Sequence, residues 1–179
     1  MASYHHGNLR EAILAAAAQT VARDGVGGLS LRAIAKDLGV SHTAFRRHFG
    51  SREGVLNALA VQGNLLLRDA LRAAQAGGEF LDVGVAYVAF ALAHPGHFTV
   101  MFRSDLLDND DPELVAARAS ASEPLAEGVA AMNLDDPEAG EVTGWAVAHG
   151  IATLALTGNL PGDPIALARR ALSQTYPHS

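Results

Sequence analysis

Residues 30–53 carry two helical signals, each about two turns long, with Gly39 between them and Gly50 after the second. Leu31, Ile34, Ala35 and Leu38 recur at spacings of three and four, the period of one helix face. Ser30 stands at the N-cap, where its hydroxyl can accept from an open amide of the first turn. Gly39 stops this helix, because glycine takes the left-handed backbone of a tight helix end at no steric cost. Ser41 then caps a further helix over 42–49. Helices of about eight residues do not persist in water, so neighbours must hold them. Leu38, Val40, Phe45 and Phe49, with one face of the preceding helix, supply a small core that fixes the pair at a steep angle. That arrangement is a helix-turn-helix with 42–49 as its reader.

The rest of the chain also reads as helix. A first helix opens at Asn8, with Glu11 completing a capping box, and ends near Asp24-Gly25; Leu9, Ile13, Ala16, Ala17, Thr20 and Val21 share one face. A long fourth helix starts after Gly50-Ser51 and is marked by Val55, Leu56, Leu59, Leu66, Leu67 and Leu71. Further segments cover 80–93, 98–103, 112–131, 137–158 and 164–174, separated by Gly/Pro or acidic breaks such as 108–111, read as a solvated linker. No strand alternation interrupts them. The expected fold is all-α: an N-terminal three-helix helix-turn-helix domain over 1–55, joined to a helical ligand-binding and dimerisation domain over 56–179. Stretches 83–102 and 142–162 lack Asp, Glu, Lys and Arg and are long enough to raise a membrane span. The first is broken by His94-Pro95-Gly96-His97, and the second holds Gly144, His149, Gly150, Thr153, Thr157 and Asn159, so both suit helices buried in protein, and no membrane partner is expected.

Charge separates the two halves. The 179-residue chain has a net charge of −6, yet residues 1–55 carry seven Lys/Arg against four acids, a balance of +3, and the remainder stands at −9. A basic module that meets an anion is thereby joined to an acidic one with another task. With no cysteine, disulfides, thiolate zinc sites and cysteine nucleophiles are excluded. The start of the chain lacks a basic segment followed by an apolar core and a cleavage site, so a cytoplasmic location is expected.

The reader concentrates donors. Arg46 and Arg47 can fork onto guanine, Thr43 can bond a base or touch a thymine methyl, and Ser41, His42 and His48 can hold phosphate near a helix N-terminus that itself attracts anions. An arbitrary basic pair is more often a solvated face; the turn around Arg46-Arg47 is what selects double-stranded DNA as partner. Arg32 and Arg52 flank the reader as clamps on the DNA backbone.

With these residues in place, Gly28-Leu29-Ser30-Leu31-Arg32-Ala33-Ile34-Ala35, Leu38-Gly39-Val40-Ser41 and Arg47-His48-Phe49-Gly50-Ser51-Arg52-Glu53 resemble the DNA-binding domain of TetR-type transcriptional regulators. The resemblance implies that Ser30, Arg32, Ser41, Thr43, His48 and Arg52 touch DNA, His48 and Arg52 at phosphates. One position departs: two before His48, where the family usually has an aromatic residue, stands Arg46, with the aromatic displaced to Phe45. The arm Tyr4-His5-His6-Gly7-Asn8-Leu9-Arg10, together with Trp145-Ala146-Val147-Ala148-His149-Gly150 and His94-Pro95-Gly96-His97-Phe98, resembles the subgroup whose C-terminal domain is named for a Trp, a His and a Gly. Dimers joined through the last two long helices, binding a palindromic operator, follow from the resemblance. So does the expectation of a repressor released by a small apolar effector.

In the second domain the 142–158 helix has two apolar stripes, Val142, Trp145, His149, Thr153 and Leu156 on one and Val147, Gly150, Ile151 and Leu154 on the other. Two faces need two partners. The first is expected toward the domain interior. The second, with Gly144, Ala148, Ala152 and Ala155 permitting close approach, is expected at a homodimer interface. A ligand pocket would draw on Tyr87, Phe90, Phe98, Met101, Phe102, Trp145 and His149; the same side chains equally describe ordinary core packing. His149 is either a satisfied core histidine or the polar anchor of an effector. His94, His97, Asp105 and Asp108 do not compose a metal site by spacing, and no cofactor is expected. No nucleophile elbow, phosphate loop or paired carboxylates occur, so an enzyme is not expected. The competing readings are a DNA-binding dimer with a purely structural second domain and, behind it, a helical enzyme.

Overall fold

A computed structural model describes residues 6–176, whose regular structure is helical throughout. Helix α1 spans His6–Asp24, α2 Leu31–Asp37, α3 His42–Phe49, α4 Arg52–Gly77, α5 Phe80–Ala93, α6 Pro95–Met101, α7 Pro112–Ala131, α8 Pro137–Leu156 and α9 Pro164–Thr175. Short 3-10 turns at Val26–Gly28 and Ser104–Leu106 join α1 to α2 and α6 to α7. No single helix among the described residues is long and apolar enough to cross a membrane.

Two elements begin earlier than the residues suggest. Helix α1 runs through Asn8 from His6, so a capping box at Asn8 is not what starts it; the buried Leu9 anchors the first turn. Tyr4 and His5 of the expected arm lie outside the described residues. Helix α6 starts at Pro95, not at Phe98, because proline at the first position presets the backbone and needs no amide partner. His94–His97 is therefore the opening turn of a helix, closed by the Phe98 amide on the His94 carbonyl at 3.0 Å.

Compactness divides the chain differently from charge. One unit comprises the residues up to Gly63 with His94–Val115; the other comprises Asn64–Ala93 and the chain from Ala116 onward. The first unit packs Ile13, Leu14 and Val21 of α1 with Ile34 of α2, Phe45 of α3 and Val55, Leu56 and Leu59 of α4. Val100, Leu107 and Leu114, from far along the sequence, complete this core. Gly96 lies against the Ala18 carbonyl, where any β-carbon would collide with backbone. His97 is buried and its Nε2 donates to Gln62 Oε1 at 2.9 Å; burial, and then His94, hold its pKa down to about 4.

The loop before α7 is exposed at 108–110, as a solvated linker should be, but it is also held in place by α4. Buried Asn57 of α4 accepts from the Asp108 amide (2.9 Å) and donates to the Asp108 carbonyl (3.3 Å) and Asp111 Oδ2 (3.0 Å). Asp111 Oδ1 in turn caps α7 through the Glu113 amide at 2.8 Å. These bonds satisfy the buried Asn57 amide group, and its bond lowers the pKa of Asp111.

In the second unit α5, α8 and α9 pack on one another. Gly140, Gly144, Ala148, Ile151 and Ala152 of α8 face inward. Gly144 leaves room for the Tyr176 hydroxyl, which donates to the Gly140 carbonyl at 2.5 Å. The close-approach face of α8 is thus consumed within the protomer.

Candidate nucleic-acid interface

Local sequence builds the reader as anticipated. Ser30 Oγ accepts from the Ala33 amide at 3.3 Å and caps α2. Gly39 takes φ 66°, and the Val40 amide reaches back to the Ala35 carbonyl at 2.9 Å, closing the turn into α3. Phe45 and Phe49, their rings 5.7 Å apart, hold α3 in the core. The Arg10 guanidinium stands 5.6 Å from the Phe49 ring centre. This cation–π contact ties α1 to α3. It was not legible in spacing, since the two residues are far apart in sequence. Asn57 left a fainter trace, as the one polar residue within the apolar run Val55–Leu59.

On the surface of this motif Ser30, Arg32, Ser41, Thr43, Arg46 and Arg47 are exposed and His48 is half-buried; His42 lies in the first turn of α3. Arg32, Lys36, Arg46 and Arg47 make no ion pair among the described residues. Several arginines elsewhere are held by carboxylates: Arg23 by Asp24, Arg68 by Asp69, Arg72 by Glu123 and Glu127, Arg103 by Asp105 and Arg169 by Asp82. The cations of α2 and α3 therefore present uncompensated charge to solvent, as a phosphate-binding surface requires.

Arg52, expected at a phosphate, is also held within the protein. It is half-buried, and its Nη2 donates to the Val26 carbonyl at 2.6 Å and its Nε to the Leu29 carbonyl at 3.4 Å. A guanidinium only donates, and the Val26 carbonyl of the 3-10 turn, which also accepts from the Leu29 amide, and the Leu29 carbonyl just after it draw it in. Arg52 positions α2 by holding the turn that precedes it.

The residues expected around a ligand divide between the units. Phe98, Met101 and Phe102 belong to the first; Phe98 and Met101 are buried, but Phe102 is exposed. In the second unit Tyr87, Trp145 and His149 come together: Trp145 Nε1 donates to Tyr87 Oη at 3.3 Å, and Tyr87 Oη lies 2.9 Å from His149 Nδ1. Tyr87 and Phe90 are buried; burial raises the Tyr87 pKa and lowers that of His149, keeping both neutral at pH 7. Trp145 as a residue is 47% exposed: the small residues of α8 take the inward face, and the indole lies at the surface with its Nε1 toward Tyr87.

Of the residues expected at a dimer face, Ile151 is contradicted. It is only 8% exposed and packs inside its own protomer, because it shares the inward face with Ala148 and Ala152. Val147 and Gly150 are half-buried and Leu154 is 45% exposed; Val142, assigned to the interior, is 57% exposed.

A capped two-turn helix, a glycine turn and a basic helix backed by two phenylalanines define a helix-turn-helix DNA-binding protein. Residues 13–59 match the family model for bacterial regulatory proteins of the tetR family, and residues 80–175 match the tetracyclin repressor-like C-terminal domain. The chain belongs to the TetR family of DNA-binding transcriptional regulators, a family of regulators and not of enzymes. It is 28% identical over 155 residues to the uncharacterized HTH-type transcriptional regulator Rv0681 of Mycobacterium tuberculosis, covering 83% of this chain and 71% of that protein. A protein of unknown function from Rhodococcus sp. RHA1 is 37% identical, with a TM-score of 0.81 over 98% of this chain and 96% of the other. A tetR-family regulatory protein from Rhodococcus RHA1, at 22% identity and a TM-score of 0.69 over 93% and 94% of the two chains, shares the fold.

Proposed function

We propose that this regulator is a cytoplasmic homodimeric repressor, in which residues 1–55 bind a palindromic operator and residues 56–179 pair the protomers and receive a small apolar effector. The observation that carries the operator reading is the exposed cluster of Arg32, Lys36, Arg46 and Arg47 on α2 and α3, which make no ion pair among the described residues. Thr43, Arg46, Arg47 and His48 of α3, with Ser41 and His42 at its N-terminus, contact DNA, while Ser30 and Arg32 meet it from α2. Two such readers about 34–36 Å apart match one turn of duplex, which is what pairing supplies.

Pairing is supported by the large apolar side chains that α8 leaves in water, Val142 and Trp145 on one side of the helix and Leu154 on the other. The subgroup named for Trp, His and Gly is supported by Trp145 and His149 both meeting Tyr87 through hydrogen bonds. That cluster supplies the polar anchor for an otherwise apolar effector, and binding there depopulates the operator-competent state. The competing reading, a structural second domain, draws on the same bonds, since Tyr87 already has partners inside the protomer.

A titration against the DNA upstream of the protein's own gene, searched for an inverted repeat, tests operator binding. Thermal-shift screening with apolar compounds bearing one hydrogen-bonding group, read alongside Trp145 fluorescence, separates the readings. A ligand specific for the folded state stabilises by about 2.7 kcal/mol at a hundredfold excess over its Kd. No shift across a broad library leaves a DNA-binding dimer without an effector.

A further inference from the structure

We infer that the two adjacent arginines of α3 have different tasks: Arg47 reads a guanine base in each operator half-site, and Arg46 holds a phosphate. The inference rests on the operator reading above and deepens it. Successive residues of an α-helix are turned by about 100°. The buried rings of Phe45 and Phe49 fix the direction in which α3 faces the core. Arg47 then points about 180° from that direction, and Thr43, one turn earlier, lies within about 40° of it. Arg46 and the half-buried His48 fall on opposite flanks, each about 80° from the core direction.

A helix seated in the major groove presents its outermost side chains to base edges and its flanks to the two backbones. Arg47, exposed and without an ion pair among the described residues, keeps its fork for the O6 and N7 acceptors of guanine. Thr43 beside it suits an adjacent base. Arg46 occupies the flank away from His48, so the two contact phosphates on opposite sides of the groove. The position where an aromatic residue is usual in similar proteins thus acquires a full charge directed at the backbone.

The experiment is selection from a random duplex library with the full-length protein, followed by titration of the wild type, Arg47→Ala and Arg46→Ala over a salt series. Circular dichroism and thermal midpoints check that both variants stay folded. The expected motif has a guanine in each half-site whose preference disappears in Arg47→Ala, with affinity for the selected duplex falling about 5- to 100-fold. Replacing that guanine by 7-deazaguanine, which lacks N7, should weaken the wild type and leave Arg47→Ala unaffected. Arg46→Ala should weaken all duplexes alike and reduce the salt slope by about one. Wild-type indifference to 7-deazaguanine, or loss of the base preference in Arg46→Ala instead, would overturn the division of labour while leaving operator binding standing. Folded wild-type protein that selects no motif at all would overturn the operator reading itself and this assignment with it.

Discussion

Arg46 and Arg47 on α3 face water without a carboxylate partner among the described residues, whereas Arg68, Arg72 and Arg169 in the second unit are each held by one. The apolar surface runs the other way. Around α3 the large apolar side chains are buried, while α8 leaves Val142, Trp145 and Leu154 in solvent. Exposed ion pairs contribute little to stability, about 0–1 kcal/mol, so holding Arg68, Arg72 and Arg169 against carboxylates mainly cancels local positive charge. The surface of α3 suits a polyanion, and that of α8 leaves apolar carbon in water. The lesson lies in the two helices: α3 exposes charge and buries its large apolar rings, while α8 buries its small residues and exposes large apolar ones.

The contrast is broken most severely on α8. Ile151→Glu should destabilise the second unit by about 3 kcal/mol or more, since it buries an unpaired carboxylate. Val142→Glu with Leu154→Glu should leave the thermal midpoint nearly unchanged and yield monomers in sedimentation. A stable dimeric double variant would place the pairing surface elsewhere.

Next in size is Arg52. Its removal leaves the Leu29 carbonyl without this donor and the Val26 carbonyl with the Leu29 amide alone, so Arg52→Ala should cost about 1 kcal/mol of stability. Operator affinity should fall with an unaltered salt slope, because a positioning residue and not a phosphate contact is lost. A slope lower by about one, with no change in thermal midpoint, would return Arg52 to the phosphates.

A smaller effect separates the units by pH. The folded-state pKa of His97, about 4, lies below its ordinary 6.5. As pH falls through 6.5 the unfolded chain binds this proton first, so stability present above that pH is lost progressively toward pH 4. His97→Gln, which can still donate to Gln62, should flatten the melting curve's pH dependence between pH 6.5 and 5. Parallel curves for the two proteins would mean that His97 titrates normally.

The smallest change is Tyr87→Phe, which removes the acceptor for Trp145 and the partner of His149. About 1 kcal/mol of destabilisation is expected, with altered fluorescence of Trp145, the chain's one tryptophan. Unchanged fluorescence would show that the indole does not use this bond in solution.

The helix-turn-helix was legible in the chain because its determinants are local. Ser30 caps α2, Gly39 turns left-handed, and Phe45 and Phe49 lie one turn apart, so neighbours in sequence are sufficient to specify the turn and the exposed face. Partners far along the chain were not legible. Arg52 finds its carbonyls more than 20 residues upstream, and Asn57 finds Asp108 and Asp111 more than 50 downstream. Charge and spacing describe what a side chain can do, but not which distant backbone group will reach it first. Helix α8 shows the same limit in another form. Periodicity marks the inside of a helix when the opposite face is polar, and α8 has apolar residues all round, so the pattern could not choose between Ile151 and Val142. Packing chose: the face with Gly140, Gly144 and Ala148 admits Tyr176, and only tertiary contact could decide that the small residues, not the tryptophan, turn inward.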